Sequence, residues 1–246
     1  MSALDSAAPA PRAWTTLPAL YRLLLRTQVS VARVLGIGAL GALTVLLGVF
    51  ARQDVDPEQA ATDAATFALG LVVPLAALWL GTSALGDLVE DRLLVYLWLK
   101  PVPRWQLPAA AVVATTTLVI PLTAVPVGVG ALVAGADEIA LEAFLAATLA
   151  SLAYSGVFVA AGLWFRRAAW WGLAFVVIWE NALAHIAEGF SRYTVVGWSS
   201  SILASAPGVS VQVDAGSART AFVVLGAVAV AGLLVAVNRY RRGELD

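Results

Sequence analysis

The sequence has no cysteine, a single histidine and few charged residues, and each scarcity excludes a kind of site. Without cysteine, the chain forms neither a disulfide framework nor a thiolate metal site. One histidine, His185, is too few for a zinc site of the H-E-x-x-H type. The phosphate-binding pattern G-x-x-x-x-G-K-[ST] is also absent. An ATP-dependent activity would therefore need a nucleotide site on another chain.

What the chain has in excess is apolar residues. They make up 61% of the sequence, charged residues make up 13%, and the mean hydropathy is +0.86. A soluble domain has about 25% charged and 45–50% apolar residues. The net charge of −1 gives no overall field that would attract nucleic acid. The composition predicts an all-α integral membrane protein.

Six segments are candidates for crossing a bilayer, which takes roughly 20 mostly apolar residues. They are 31–51, 64–85, 107–133, 139–165, 168–178 and 220–238. We therefore predict a single transmembrane domain over residues 1–246, with six transmembrane helices.

The basic residues predict the orientation of these spans. With the N-terminus inside, twelve of the 15 Lys and Arg residues fall on the inner side. They are Arg12, Arg22, Arg26, Arg33, Arg92, Lys100, Arg104, Arg166, Arg167, Arg239, Arg241 and Arg242. Because cytoplasmic loops carry an excess of Lys and Arg, we expect both termini in the cytoplasm and a location in the inner or plasma membrane of the cell.

Two segments do not fit as simple spans. Residues 13–30 place Leu20 and Leu24 on one helical face and Arg22 and Arg26 on another, a pattern typical of a helix lying in the membrane interface. The alternative is an extension of the first span. Residues 179–218 are too polar to span and too apolar for a free loop, which favours a re-entrant outer segment packed on protein.

Small residues and prolines within the spans predict close helix contacts and local helix breaks. In the first span, Gly38 with Ala42 and Gly41 with Val45 are each four residues apart, which suits close packing. Proline removes a backbone donor inside a helix, so neighbouring groups must satisfy the freed carbonyls. The prolines concerned are Pro74, Pro121 and Pro126.

Three ionisable residues lie in the polar segment before the last span: Glu180, His185 and Glu188. An ionisable group in a membrane segment costs at least about 2.5–3.5 kcal/mol, which makes each a functional candidate. Glu180 either contacts substrate or accepts hydrogen bonds from backbone N–H groups where the fifth span breaks. His185 and Glu188 share one helical side, and they relay protons, contact a cationic substrate or lie on the outer surface.

The stretch EDRLLVYLWLKPVPRW, residues 90–105, interrupts the apolar sequence on the predicted cytoplasmic side. We predict an amphipathic helix over 86–100 with Asp87, Glu90 and Asp91 near its start and a stop at Pro101. The acids and Lys100 suit the two ends of the helix dipole. Lipid burial alone does not explain such a helix, which is suited to docking in a groove of a partner.

In their order along the chain, these features resemble the permease subunit of type-2 ABC exporters. In that family the loop after span two commonly reads as an acid pair, Gly-Thr, a Leu-rich turn and then Pro-(Ile/Val)-(Ser/Pro)-Arg. Here Glu90-Asp91, Leu97 and PVPR at 101–104 match, whereas LLV at 93–95 stands in place of Gly-Thr. The segment 178–195 is also similar to the "WE" segment after span five in one branch of the family.

The resemblance implies an exporter subunit that works as a dimer, expected to be a homodimer, on two copies of a separate ATP-binding subunit. This chain would bind no cofactor and would not be an enzyme itself, because ATP and Mg would bind the partner. The implied ATPase-coupling residues are Asp87, Glu90, Asp91, Arg92, Leu97, Pro101 and Arg104. Candidates for the substrate path are the aromatics Phe67, Trp79 and Trp179, which either contact an apolar substrate or pack between helices or face lipid, together with the ionisable residues Glu180, His185 and Glu188.

The alternative is a stand-alone membrane carrier or an intramembrane enzyme that uses Glu180 and His185. Carriers are often built from internal repeats, and residues 31–133 show no similarity to 139–238. A serine nucleophile would have to come from GWSSS at 197–201, which lacks a following glycine and is equally explained as a helix cap or turn.

Overall fold

The structure is a computed structural model that describes residues 13–90, 103–165, 167–183, 190–207, 209–211 and 216–242. The regular structure of these residues is entirely helical. The α-helices are α1 Ala13–Gln28, α2 Val31–Ala51, α3 Pro57–Phe67, α4 Val73–Glu90, α5 Gln106–Ala134, α6 Asp137–Trp164, α7 Ala168–Ala174, α8 Val195–Leu203 and α9 Ala218–Arg242. A π-helical turn, Ala68–Val72, joins α3 to α4, a longer one, Phe175–Leu183, extends α7, and a 3₁₀ turn, Phe190–Tyr193, precedes α8.

Five helices within these ranges are long and apolar enough to cross a membrane. They are α2, Pro57–Gly86, α5, α6 and α9, with lengths of 21 to 30 residues. They coincide with five of the six predicted spans, and they define a multi-pass membrane protein. The fifth predicted span, 168–178, is helical but is not among the five, because α7 and its π-helical extension have only 7 and 9 residues.

Helix α1 is separate from α2, so residues 13–30 do not continue the first span as a single helix. Val29 and Ser30 are not helical, and the Ser30 hydroxyl caps α2 by accepting from Arg33 N. Helix α1 packs on the first part of α5, where the Thr115 hydroxyl donates to Gln28 Oε1 at 3.2 Å.

Helix α6 is the centre of the bundle, in contact with α4, α5, α8 and α9. Small residues allow this crowding. A Cβ added at Gly156 would lie 2.7 Å from the carbonyl oxygen of Ala229 in α9, and one added at Gly232 would lie 2.5 Å from the carbonyl carbon of Gly156. The backbones of α6 and α9 therefore touch, a contact that any larger side chain prevents.

Of the two small-residue pairs predicted to pack closely in the first span, only the pair with Gly41 has its glycine against another helix. Gly41 packs on α5, where its Cβ would meet Leu122 O at 2.7 Å, and Ala42 is exposed. Leu122 O lacks the usual helical donor because residue 126 is proline, and the glycine lets the two backbones approach at this point. Gly38 has open space around it. Residues 36–41, GIGALG, also have the spacing G-x-G-x-x-G, but they lie within α2 and do not form the strand-to-helix turn that binds a dinucleotide.

Contacts between the helices fix their relative directions. Helix α4 runs parallel to α6, because Gly81 faces Phe158 and Gly162 faces Thr82. Helix α9 also runs parallel to α6, because Ala229 lies against Gly156 whereas Arg239, ten residues later, lies over the Trp164 ring at 5.2 Å. Helices α5 and α6 are antiparallel. The chain between α6 and α9 must therefore return from one end of the bundle to the other.

Candidate functional site

A buried carboxylate lies between α6, α8 and the π-helical extension of α7. Glu180 is 1% exposed. Its Oε2 accepts hydrogen bonds from the Tyr154 hydroxyl at 2.8 Å and from Val196 N at 3.0 Å, and its Oε1 accepts from Val195 N at 3.2 Å. These are the hydrogen bonds that the backbone-capping interpretation of Glu180 requires.

The carboxylate and a threonine together satisfy the start of α8. The first N–H groups of a helix have no partner within it. Glu180 accepts from the first two, at Val195 and Val196, and Thr194 Oγ1 accepts from Gly197 N at 3.0 Å. Thr194 Oγ1 also donates to Ser191 O at 2.9 Å. The positive end of the helix dipole adds to the attraction for a negatively charged group at this point.

Glu180 lies deep along the bundle. Its partner Tyr154 is fully buried and precedes the end of α6 by ten residues, which is about 15 Å at 1.5 Å per residue. In this state the carboxylate is closed off from any path, so a substrate reaches it only if the bundle rearranges. Through its hydrogen bonds, the Glu180 carboxylate joins three parts of the chain: α6, the start of α8 and its own π-helical segment.

The neighbouring side chain, Asn181, reaches the other way. Its amide nitrogen donates to Gly70 O in the π turn of the second span at 2.9 Å and to Val176 O in its own π segment at 2.8 Å. One side-chain amide thus joins the two π-helical segments found among the described residues. Such π turns are rare and are frequent at functional sites.

Aromatic rings continue from this point toward the surface. Trp179 is 39% exposed, stacks on Phe175 with ring centroids 6.4 Å apart, and meets Phe190 edge to face at 4.9 Å. Its indole N–H donates to Tyr193 O at 3.2 Å. Phe175 in turn packs edge-on against the buried Phe158 at 6.4 Å. Trp179 is therefore held by two aromatic rings and one hydrogen bond, and it keeps part of its surface exposed.

The other predicted path residues are dispersed. Phe67, 43% exposed, ends α3 three residues before Gly70, so it borders the same junction. Trp79, also 43% exposed, packs on α2, where a Cβ at Gly36 would lie 2.5 Å from its ring. The structure brings Trp179 and Glu180 together and leaves Trp79 in a separate contact.

Most of the predicted ATPase-coupling residues, together with His185 and Glu188, lie outside the described residues. Those of the coupling segment are Asp91, Arg92, Leu97 and Pro101. The backbone of Asp87 and Glu90 forms the last turn of α4. Arg104 precedes α5, and its guanidinium donates to Arg241 O at the end of α9 at 3.0 Å.

The serines of GWSSS lie in α8 and are buried. Ser199 donates to Val196 O at 2.9 Å and Ser201 donates to Gly197 O at 2.8 Å, both within their own helix. Ser201 Oγ also accepts from Gly216 N at 3.2 Å. These bonds are those of helical serines, whereas the buried hydroxyl of Ser200 has no hydrogen-bond partner among the described residues.

Tyr154 and Asn181 were missed by the sequence analysis. Tyr154 is the one tyrosine within the six predicted spans, and a buried tyrosine usually finds a hydrogen-bond partner for its hydroxyl. The sequence therefore indicated that the Tyr154 hydroxyl would form a hydrogen bond, but it did not indicate that Glu180 would be the acceptor. Asn181 directly follows Glu180 in the sequence, and no sequence pattern predicted its contact with Gly70.

In comparisons with known proteins, no family model matches this chain and no characterised protein matches it in sequence. The class to which it belongs follows from its fold. The chain is an all-helical, multi-pass membrane protein with a carboxylate buried where two of its short helical segments meet.

Proposed function

We propose that this chain is the transmembrane subunit of an ATP-binding cassette exporter, with six crossings, a substrate path formed in a dimer, and separate ATPase subunits that bind ATP and Mg. The observation that carries the proposal is the parallel packing of α6 and α9. If both helices cross the membrane in the same direction, residues 165–217 must cross it once in the opposite direction.

The contacts support a fifth crossing made in two pieces. Helix α7 and its π segment run antiparallel to α4, because Gly172 packs on Leu78 whereas Asn181 reaches Gly70. At the level of Glu180 they meet the start of α8. Beyond α8, Ser210 Oγ lies 3.4 Å from Gln59 Oε1, near the start of the second span. Discontinuous helices of this kind line substrate paths in transporters.

The distribution of charge supports cytoplasmic termini. The helix directions bring the start of α2 and α5 and the end of α6 and α9 to one end of the bundle. The basic residues described there are Arg22, Arg26, Arg33, Arg104, Arg167, Arg239, Arg241 and Arg242. The opposite end has the acids Asp54, Asp56, Glu58, Asp63, Asp137, Glu138 and Glu142. Basic residues favour the cytoplasmic side of a cell or plasma membrane.

The coupling role rests on the position of residues 86–105. Residues 86–90 end α4, and residues 91–105 connect it to α5 at the basic end, where an ATPase would dock. Force on this segment would act directly on α4, and through α4 on the Gly70–Asn181 contact. The exposed faces of Phe67 and Trp179 at that contact would border the substrate path, and a second permease, identical in a homodimer, would complete it.

The experiment that tests the proposal is charge reversal at the docking segment. We expect Glu90→Lys and Asp91→Lys to abolish co-purification of an ATPase subunit and ATP-dependent export. The matched control is Asp54→Lys, the same change on an exposed residue at the opposite end, which should leave both unchanged. If both docking variants keep the ATPase and coupled transport, the coupling role is wrong.

The alternative, a stand-alone carrier or enzyme that uses Glu180 and His185, loses its main motivation. Glu180 already has three hydrogen-bond donors and is closed off from solvent, so its burial is explained by capping α8. Transport in vesicles with no ATPase present would favour the alternative.

A further inference from the structure

The second span contains a defect in its backbone hydrogen bonding that another part of the chain repairs. In a regular helix, Gly70 O would accept from the N–H of residue 74. Residue 74 is proline, which has no N–H to donate. The helix widens here into a π turn, in which Val73 N donates to Ala68 O, five residues back. The usual i+4 donor to Gly70 O is therefore missing, and this carbonyl accepts from another part of the chain.

Asn181 supplies the donor that Pro74 removes. Its amide nitrogen lies 2.9 Å from Gly70 O. The absence of a side chain at residue 70 makes room for it, because a Cβ there would lie 2.9 Å from Asn181 Oδ1. These three residues act together, and we call them the joint. Pro74 removes the usual donor to Gly70 O, Gly70 leaves room for a side chain, and the Asn181 amide donates to the carbonyl.

We propose that Asn181 is a positioning residue that docks the fifth crossing onto this proline hinge in the second span. Without Asn181, Gly70 O loses the side-chain donor that replaces the N–H missing at Pro74, and the loss of a hydrogen bond to a carbonyl in an apolar bundle is costly. Separation of the two elements therefore requires water to reach Gly70 O, and the joint holds them together until that happens. The inference concerns this chain alone and does not depend on whether an ATPase binds it.

Hydrogen exchange, measured by mass spectrometry on the full-length chain in lipid nanodiscs, tests the joint. We expect Asn181→Leu to speed the exchange of the backbone amides in 68–78 about tenfold, the effect of losing two ordinary hydrogen bonds. Exchange in α5 should not change. The matched control is Thr123→Val, which removes a buried polar contact between α5 and α6, where the Thr123 and Ser151 hydroxyls are 3.2 Å apart. The Thr123→Val variant should exchange the backbone amides of 68–78 at the wild-type rate.

The decisive variant is Pro74→Ala, which returns an N–H to residue 74. Gly70 O then has a donor in its own helix, and Asn181 is no longer needed for it. In the Pro74→Ala background we expect Asn181→Leu to change the exchange of 68–78 by less than about threefold. An equal effect of Asn181→Leu in both backgrounds would overturn the proposal, as would no effect in the wild type.

A second variant keeps the test open if Asn181→Leu does not fold. Gly70→Ala adds the Cβ that would displace Asn181 from the other side, and it should speed exchange in the same amides. Slow, wild-type exchange in Gly70→Ala would show that the approach of Asn181 does not depend on this glycine, and it would count against the joint.

Discussion

Replacement of Glu180 by alanine is the perturbation with the largest expected effect on this fold. It leaves three buried donors without an acceptor: the Tyr154 hydroxyl and the N–H groups of Val195 and Val196. Each unsatisfied buried donor costs about 1–3 kcal/mol. Because water and local relaxation recover part of this, we expect a loss of about 3–5 kcal/mol in the free energy of unfolding.

Two smaller changes at the same place should rank below it. Glu180→Gln keeps one acceptor oxygen but turns an N–H₂ group toward a backbone N–H, for a loss of about 1–2 kcal/mol. Tyr154→Phe removes one donor and leaves the carboxylate its two backbone partners, with a loss of about 1–2 kcal/mol. Since the two residues share a hydrogen bond, the double variant should lose less than the two single losses added together.

Thermal unfolding in detergent, followed by tryptophan fluorescence, measures these changes. The chain has nine tryptophans whose fluorescence reports on unfolding, and one of them, Trp179, directly precedes Glu180. A loss of 3–5 kcal/mol should lower Tm by about 10 °C for a chain of this size. The control is Glu58→Ala, an exposed acid in the first turn of α3, which should shift Tm by at most about 2 °C. If Glu180→Ala melts as the control does, the carboxylate does not hold α8 in place.

Two further predictions follow from the packing and from the ends of the bundle. Gly156→Val should destabilise the protein by several kcal/mol, because the new side chain would meet Ala229 O, whereas Gly38→Val, in open space, should be neutral; equal melting temperatures would contradict the close contact of α6 and α9. In this cysteine-free chain, single cysteines at Val55 and Arg242 should react with a membrane-impermeant maleimide from opposite sides of intact cells or vesicles, with Val55 labelled from outside. Labelling of both from one side would refute the proposed topology.

The spans themselves were predictable because hydropathy is a property of a segment and needs no partner. Five of the six predicted segments coincide with long apolar helices. The fifth was harder, because its short apolar run gave no sign of how the chain would continue. In the structure that run becomes α7 and a π helix, and Glu180 in it is stabilised by a helix that begins 15 residues later.

Glycine and proline patterns predicted the kind of contact and not its partner. The small-residue face of α2 was recognised, yet Gly41 uses it and Gly38 does not, because only the rotation of α2 against α5 selects one side. The carbonyl freed by Pro74 was expected to need a neighbour. The structure shows that this neighbour is Asn181, which is 111 residues from Gly70 in the sequence. Their contact depends on the register between two helices, and a local sequence pattern does not predict that register.

By itself, the sequence determined the membrane class, the positions of most helices and the separation of basic from acidic ends, because burial in lipid and the placement of charge act on each segment independently. Only the tertiary structure decided that α4, α6 and α9 run in parallel and that Glu180 and Asn181 join the π-helical segment Phe175–Leu183 to α8 and to the second span. These depend on how helices rotate and slide against one another, and a shift of one residue in a helix turns a side chain by about 100°.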